Sequence, residues 1–151
     1  MVTSCKERHC SLHFNLAIKN KLILKGEKLE EIFNNLQGDQ RQQAADFVVV
    51  IAEKEFNGVL IIEIKSKHLH QLLNQLQCTG TRVIQMKDIC FQPTDFAKYR
   101  NRIYFFAVAN GGSSAEWGRL ASNKIHLNGT KHSIISLRCG DDPIEKLKEL
   151  I

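Results

Sequence analysis

The stretch from Ala45 to Lys65, ADFVVVIAEKEFNGVLIIEIK, limits what this chain can become. Two apolar runs rich in β-branched residues flank a polar link, the pattern of two paired strands. Charged residues interrupt both: Asp46 opens the first run, and Glu63 and Lys65 break the second. Side chains alternate faces along a strand, so Val59, Ile61, Glu63 and Lys65 share one side, and Leu60, Ile62 and Ile64 the other. Charges placed among residues fit for burial are costly unless they are paired or hold a metal.

The link from Glu53 to Asn57 is short and polar, which predicts an antiparallel hairpin of Ala44–Ala52 and Gly58–Lys65. Its register decides what the charges can do. A link centred near Lys54-Glu55 sets Asp46 opposite Glu63, where two carboxylates can share a cation. A tight turn at Asn57-Gly58 would set Ala52 opposite Glu63 and carry Asp46 along the sheet, away from it.

The flanking segments have helical periodicity. In GEKLEEIFNNL, Leu29, Ile32, Phe33 and Leu36 fall on one face, so Gly26–Leu36 reads as an amphipathic helix closed near Gly38. Beyond Lys65, Leu69, Leu72, Leu73 and Leu76 mark a second helix from about Lys67 to Gln77. Val83–Phe91 is ambiguous, with TRVIQM carrying a short strand, and Pro93–Arg102 reads as a loop or a single helical turn. The run IYFFAVA, Ile103–Ala109, predicts a strand covered on both faces. Ser133–Leu137 predicts another strand. Pro143–Leu150 predicts a terminal helix with Asp142 as its N-cap. The residues before Leu24 read as a strand pair turning at Lys19-Asn20-Lys21, or as an irregular arm.

At 151 residues the chain suits one domain with a sizeable core. Residues 1–25 would form the leading arm or strand pair, 26–110 the core, and 111–151 a C-terminal extension. The expected class is α/β (or α+β), a central mixed sheet flanked by helices. A net charge of +5 suits a polyanionic partner. No apolar run approaches the ~20 residues of a membrane span, so no membrane partner is expected. The five cysteines are an odd number and the start, MVTSCKERHC, is polar. A reducing, cytoplasmic location is the expectation. Cys5, His9, Cys10 and His13 lack two well-spaced ligand pairs, so a scattered arm is the better reading than a zinc site. Asn128-Gly129-Thr130 matches a glycosylation acceptor and is taken as chance. No phosphate-binding GxxxxGK[ST] loop is present. Cys78 and Cys90 have no evident base partner for thiol catalysis.

Asp46 followed by Glu63-Ile64-Lys65, set between two helices, resembles the PD-(D/E)XK nuclease superfamily of restriction endonucleases, junction resolvases and repair nucleases. In that family a helix precedes a hairpin, the Asp opens one strand, the ExK lies on the next, and a helix and a further strand follow. The likeness covers roughly Gly26–Ala109 and implies a restriction-endonuclease-like core. It implies Asp46 and Glu63 as ligands of Mg²⁺, with Mn²⁺ as a substitute, and Lys65 as the residue that orients the attacking water. Many members carry a glutamine on the helix after the ExK strand; Gln75 is the best match and Gln71 the alternative. Some place an acidic residue on the first helix, here Glu30, with Glu31 and Glu27 competing. One departure is that Ala45 stands where the family has proline.

The reaction implied is metal-assisted phosphodiester hydrolysis, on DNA rather than RNA. Lys67, His68, Lys98, Arg100 and Arg102, with Tyr99 beside the last three, are the candidates for nucleic-acid backbone contacts. A homodimer, or a partner protein supplying recognition, would fit so small a core. The bland counterpart is an edge strand with an exposed Glu63–Lys65 pair. The functional alternative is a non-catalytic nucleic-acid-binding or assembly domain that keeps the fold.

Overall fold

A computed structural model describes residues 4–7, 9–15, 18–37, 43–53, 56–65, 69–90, 102–109 and 114–150. In chain order these form β1 (Lys6–Glu7), β2 (Cys10–Ser11), β3 (Lys21–Lys25), α1 (Gly26–Gln37), β4 (Phe47–Ala52) and β5 (Asn57–Lys65). There follow α2 (Leu69–Cys90), β6 (Ile103–Ala109), α3 (Ser114–Ser122), β7 (Lys124–Leu127), β8 (Thr130–Arg138) and α4 (Pro143–Leu150). The class is α+β. Six strands make one mixed sheet in the order β3-β4-β5-β6-β8-β7, and β1 and β2 pair separately.

The sheet changes direction in its middle. The β3–β4 and β4–β5 pairs are antiparallel, whereas β5–β6 and β6–β8 are parallel and β7–β8 is again antiparallel. A parallel pair cannot be joined by a tight turn, so α2 crosses over between β5 and β6. As its unbroken apolar run requires, β6 lies inside the sheet, between β5 and β8.

Strand alternation sorts the core into two layers. Val48, Val59, Ile61, Phe105 and Ala107 point to one face, where Leu29 and Phe33 of α1, Leu72 and Leu76 of α2 and Leu120 of α3 cover them. Phe47, Val49, Leu60, Ile62 and Phe106 point to the other, against Ile144 and Leu147 of α4 and Cys5, Cys10 and Leu12 of the arm. Asp46 and Glu63 fall on the first face, in step with Val48 and Ile61.

Two expectations are corrected, and a turn unassigned from the sequence is added. The segment TRVIQM is helix, because α2 runs unbroken from Leu69 to Cys90. Leu72, Leu76, Val83 and Met86 recur at helical spacing and are all buried, which outweighs the β-branched character of a short stretch. Asn128-Gly129 is the turn of a β7–β8 hairpin, with φ of 48° and 80°. Two successive positive φ values match the primed turn that Asn-Gly favours, and only a brief strand precedes it. Finally, Cys10 and Cys139 form a disulfide, with Cα atoms 5.1 Å apart. The arm docks against the turn after β8, where Gly140 N donates to Ser11 O and His13 N to Asp141 O. That meeting joins positions 129 apart in sequence and leaves no local signature. The cysteine-based case for a reducing compartment loses its ground with it. Cys5 is unpaired and buried, and burial pushes its thiol up to about 12.

Asp142 caps α4 as expected, its Oδ1 accepting from Ile144 N and Glu145 N. The outer edge, β7, is closed by a side chain of α2. The Gln77 amide donates to His126 O (2.8 Å) and accepts from His126 N (3.1 Å), in place of a further strand. Among the described residues, no helix is long and apolar enough to cross a membrane.

His132 on β8 sets its ring edge against Phe105, with centroids 5.6 Å apart. Burial pulls its pKa below the ordinary 6.5, against a smaller opposing effect of a backbone hydrogen bond at Ile103. The unfolded chain then takes up this proton more readily than the folded one, so stability is full above about pH 6.5 and falls as pH drops below it. Urea midpoints measured from pH 7.5 to 5.5 should decline, and His132→Gln should flatten that slope.

Candidate active site

The site begins with register. The β4–β5 ladder runs from Ala52 opposite Asn57 to Phe47 opposite Ile62. One further step along it sets Asp46, in the bend just before β4, opposite Glu63. This is the first of the two registers weighed from the sequence, and it excludes the one with Ala52 opposite Glu63. Residues directly opposite on an antiparallel pair have Cβ atoms about 4.5–5.5 Å apart. The Asp46 side chain lies against the partner strand, its Oδ2 accepting from Ile64 N at 2.8 Å.

Glu63 is fully buried among apolar neighbours. With its amide oriented to satisfy both neighbours, Gln75 of α2 donates to Glu63 Oε2 at 2.7 Å and to Gln71 O at 3.3 Å. Gln75 thus meets the ExK glutamate directly, while the alternative, Gln71, contributes only a carbonyl. Asp46 and Gln75 both line a groove of ≈ 720 Å³ between the start of α1 and α2, whose rim also carries Glu7, Lys25, Glu27 and Glu30.

Glu30 lies in the same groove but is engaged elsewhere. Its Oε2 accepts from Arg82 Nε at 2.6 Å and its Oε1 from Arg82 Nη2 at 3.0 Å, a bidentate ion pair between α1 and α2. The Arg82 guanidinium also stacks 3.7 Å over the Phe33 ring and reaches Gln85 Oε1 at 2.7 Å. Arg82 is among the most buried large side chains of the molecule. Sequence reasoning passed over it, although an arginine within the apolar spacing Leu76, Val83, Met86 signals a partner on the facing helix. Glu27 and Glu31 are exposed, and Glu31 pairs with Lys28 at 3.2 Å.

The other predicted residues divide into those placed and those beyond the described part. The Lys65 backbone ends β5 opposite Ala109 of β6; its side chain, and Lys67, His68, Lys98 and Arg100, lie outside the described residues. Arg102 is exposed and donates from Nη1 to Asn57 Oδ1 at 2.8 Å. Its carbonyl accepts from Val59 N, at the far end of β5 from Glu63. Four residue steps along a strand separate Val59 from Glu63, about 13 Å. Arg102 is therefore not brought to the carboxylates.

No family model, curated protein or solved structure matches this chain. Among the described residues, no group of three or more His, Cys, Asp or Glu side chains is arranged to hold a metal ion by itself. Mg²⁺ does not need one, since it is usually bound through one or two carboxylates with waters and substrate phosphates completing the shell. Asp46 and Glu63 are two carboxylates of the type Mg²⁺ takes.

The backbone around Asp46 is held by α1 as well. Gly26 N, at the helix start, donates to Asp46 O at 3.0 Å. A Cβ built on Gly26 would sit 1.8 Å from the Ala45 carbonyl oxygen, a fixed backbone atom. Gly26→Ala must push the Ala45-Asp46 peptide aside, and a destabilisation of about 1–3 kcal/mol is expected. A thermal melt checks this. A melt identical to the parent's would mean that the close approach is dispensable.

Proposed function

We propose that this protein is a Mg²⁺-dependent nuclease of the PD-(D/E)XK type, with a restriction-endonuclease-like core in β3–β6, α1 and α2, acting on DNA. The observations that carry the reading are the β4–β5 register, which extended one step beyond Phe47–Ile62 sets Asp46 opposite Glu63, and Gln75, which reaches Glu63 from the helix that follows. Two negative charges directly opposite on paired strands repel. One hydrogen bond to each carboxylate, from Ile64 N and from Gln75, offsets part of that cost.

In this reading Asp46 and Glu63 hold the metal, which supplies charge neutralisation at the scissile phosphate and a more acidic bound water. Asp46 is half-buried and lines the groove, and Ile64 N holds its Oδ2. Gln75 holds Glu63 through its Oε2. Lys65, two residues beyond Glu63 on the same strand, orients the attacking water. Attack forms the new P–O bond as the P–O bond to the leaving oxygen breaks, giving a phosphomonoester and a hydroxyl. Glu30, whose oxygens accept from Arg82, is assigned to holding α1 on α2 rather than to the metal.

The test is incubation with supercoiled plasmid and with single- and double-stranded oligonucleotides, with Mg²⁺ or Mn²⁺, comparing the parent protein with Glu63→Ala and Lys65→Ala. The reading requires metal-dependent cleavage by the parent that both variants lose. Salt-sensitive binding of all substrates without cleavage would replace it with a non-catalytic binding domain.

A further inference from the structure

We infer that Thr79 is a positioning residue for Asp46, its hydroxyl on α2 fixing the peptide that precedes the carboxylate. The inference rests on the nuclease reading for its effect on turnover, but its geometry stands apart from that reading. Thr79 lies one helical turn beyond Gln75 on α2 and is buried at 2% exposure. Its Oγ1 accepts from Ala45 N at 2.7 Å. Ala45 is itself 1% exposed, so its N–H has no access to water and depends on this hydroxyl.

Asp46 is a bend residue, with no ladder bond of its own to fix it. Three contacts replace the ladder. Gly26 N of α1 donates to Asp46 O, Ile64 N of β5 donates to Asp46 Oδ2, and Thr79 of α2 holds the residue before it. The first two act on Asp46 itself. The third sets the direction from which the chain enters it, and it comes from the helix that also carries Gln75 to Glu63. One helix thus registers both carboxylates against each other, Glu63 through Gln75 and Asp46 through Thr79 and Ala45.

The chemistry of position 45 gives this a specific test. Proline at this position would carry no N–H and would need no acceptor; the sequence has alanine, which does. Thr79→Val keeps the shape of the side chain and removes the acceptor. It should lower turnover in Mg²⁺ by about 10- to 100-fold, the scale of a small misplacement of a catalytic group, with little change in the KM for DNA. Thr79→Ser keeps the hydroxyl and should stay close to the parent. In an Ala45→Pro background, where no N–H remains to be held, Thr79→Val should add nothing.

Amide hydrogen exchange of Ile64, followed by NMR, reads the position of Asp46 without any nuclease activity. Thr79→Val should speed exchange at Ile64 selectively, while β6 amides keep their protection. If the parent cleaves but Thr79→Val matches it in turnover and in Ile64 exchange, the inference is overturned and the nuclease reading stands. Loss of turnover in Thr79→Ser equal to that in Thr79→Val would also overturn it. If the parent does not cleave at all, the nuclease reading falls, and Ile64 exchange still decides whether Thr79 positions Asp46.

Discussion

Replacing Asp46 by asparagine is expected to reduce Mg²⁺-dependent cleavage by about 10³-fold or more, while leaving the fold intact. The magnitude follows from the role. Metal stabilisation of transition-state charge contributes several kcal/mol, and each 1.36 kcal/mol corresponds to about a factor of ten. Asparagine keeps the acceptor oxygen that meets Ile64 N, so the local structure survives, but it removes one of the two carboxylates assigned to the cation. The stability effect should run the other way from the activity effect. With no metal present, a carboxylate at Asp46, set one register step beyond the β4–β5 ladder opposite Glu63, has no compensating cation. Asp46→Asn should therefore melt no lower than the parent in EDTA. Initial rates on a labelled duplex, alongside thermal melts with and without divalent cation, separate the two effects. A variant that cleaves within a few-fold of the parent would remove Asp46 from the site.

The second large effect concerns the buried ion pair. Arg82→Met should destabilise the protein by about 3–5 kcal/mol, because Glu30 would keep a charge in the groove wall with its guanidinium gone. Arg82 is 1% exposed and also covers the Phe33 ring, so the loss includes packing as well as charge. Replacing both partners together, Glu30→Leu with Arg82→Met, should recover most of that loss, since apolar pairs of similar volume often replace buried ion pairs without penalty. Denaturant midpoints of the two single variants and the double variant form the cycle. The double variant also separates the two roles considered for Glu30. It should cleave with an unchanged Mg²⁺ requirement if Glu30 only joins α1 to α2. A raised Mg²⁺ requirement in a stable double variant would return Glu30 to the metal.

Much of the geometry of the candidate site is legible because a period-2 pattern is unforgiving. In VLIIEIK an even spacing puts Glu63 with Ile61 and Val59, and the link length then fixes which residue of the first strand lies opposite. Gly26 and the periodicity of Leu29 and Phe33 located α1 within one residue of its observed end. What escaped was set by contacts remote in sequence. The arm joins the turn after β8 through Cys10–Cys139, and nothing near Cys10 announces a partner 129 residues away. Lys124–Leu127 is a four-residue strand whose identity depends on pairing with β8 and on the Gln77 amide beyond it. The length of α2 was underestimated because Thr79, Gly80 and Thr81 interrupt its apolar stripe. Thr79 serves the site by meeting Ala45, and Gly80 allows the Phe105 ring to approach, where a Cβ would come within 2.8 Å of it. Residues that look like breaks in a helix are here the points where the helix touches the strands.

The central claim is that Asp46 and Glu63 share one divalent cation. Titrating Mn²⁺ into the parent protein, Asp46→Asn and Glu63→Gln, each with and without a duplex oligonucleotide, and counting bound ions by electron paramagnetic resonance tests it most directly. The parent should bind Mn²⁺ at one site that is weakened at least about tenfold, or about 1.4 kcal/mol, in each variant. Equal Mn²⁺ binding by all three proteins, or none by the parent with or without DNA, would contradict it.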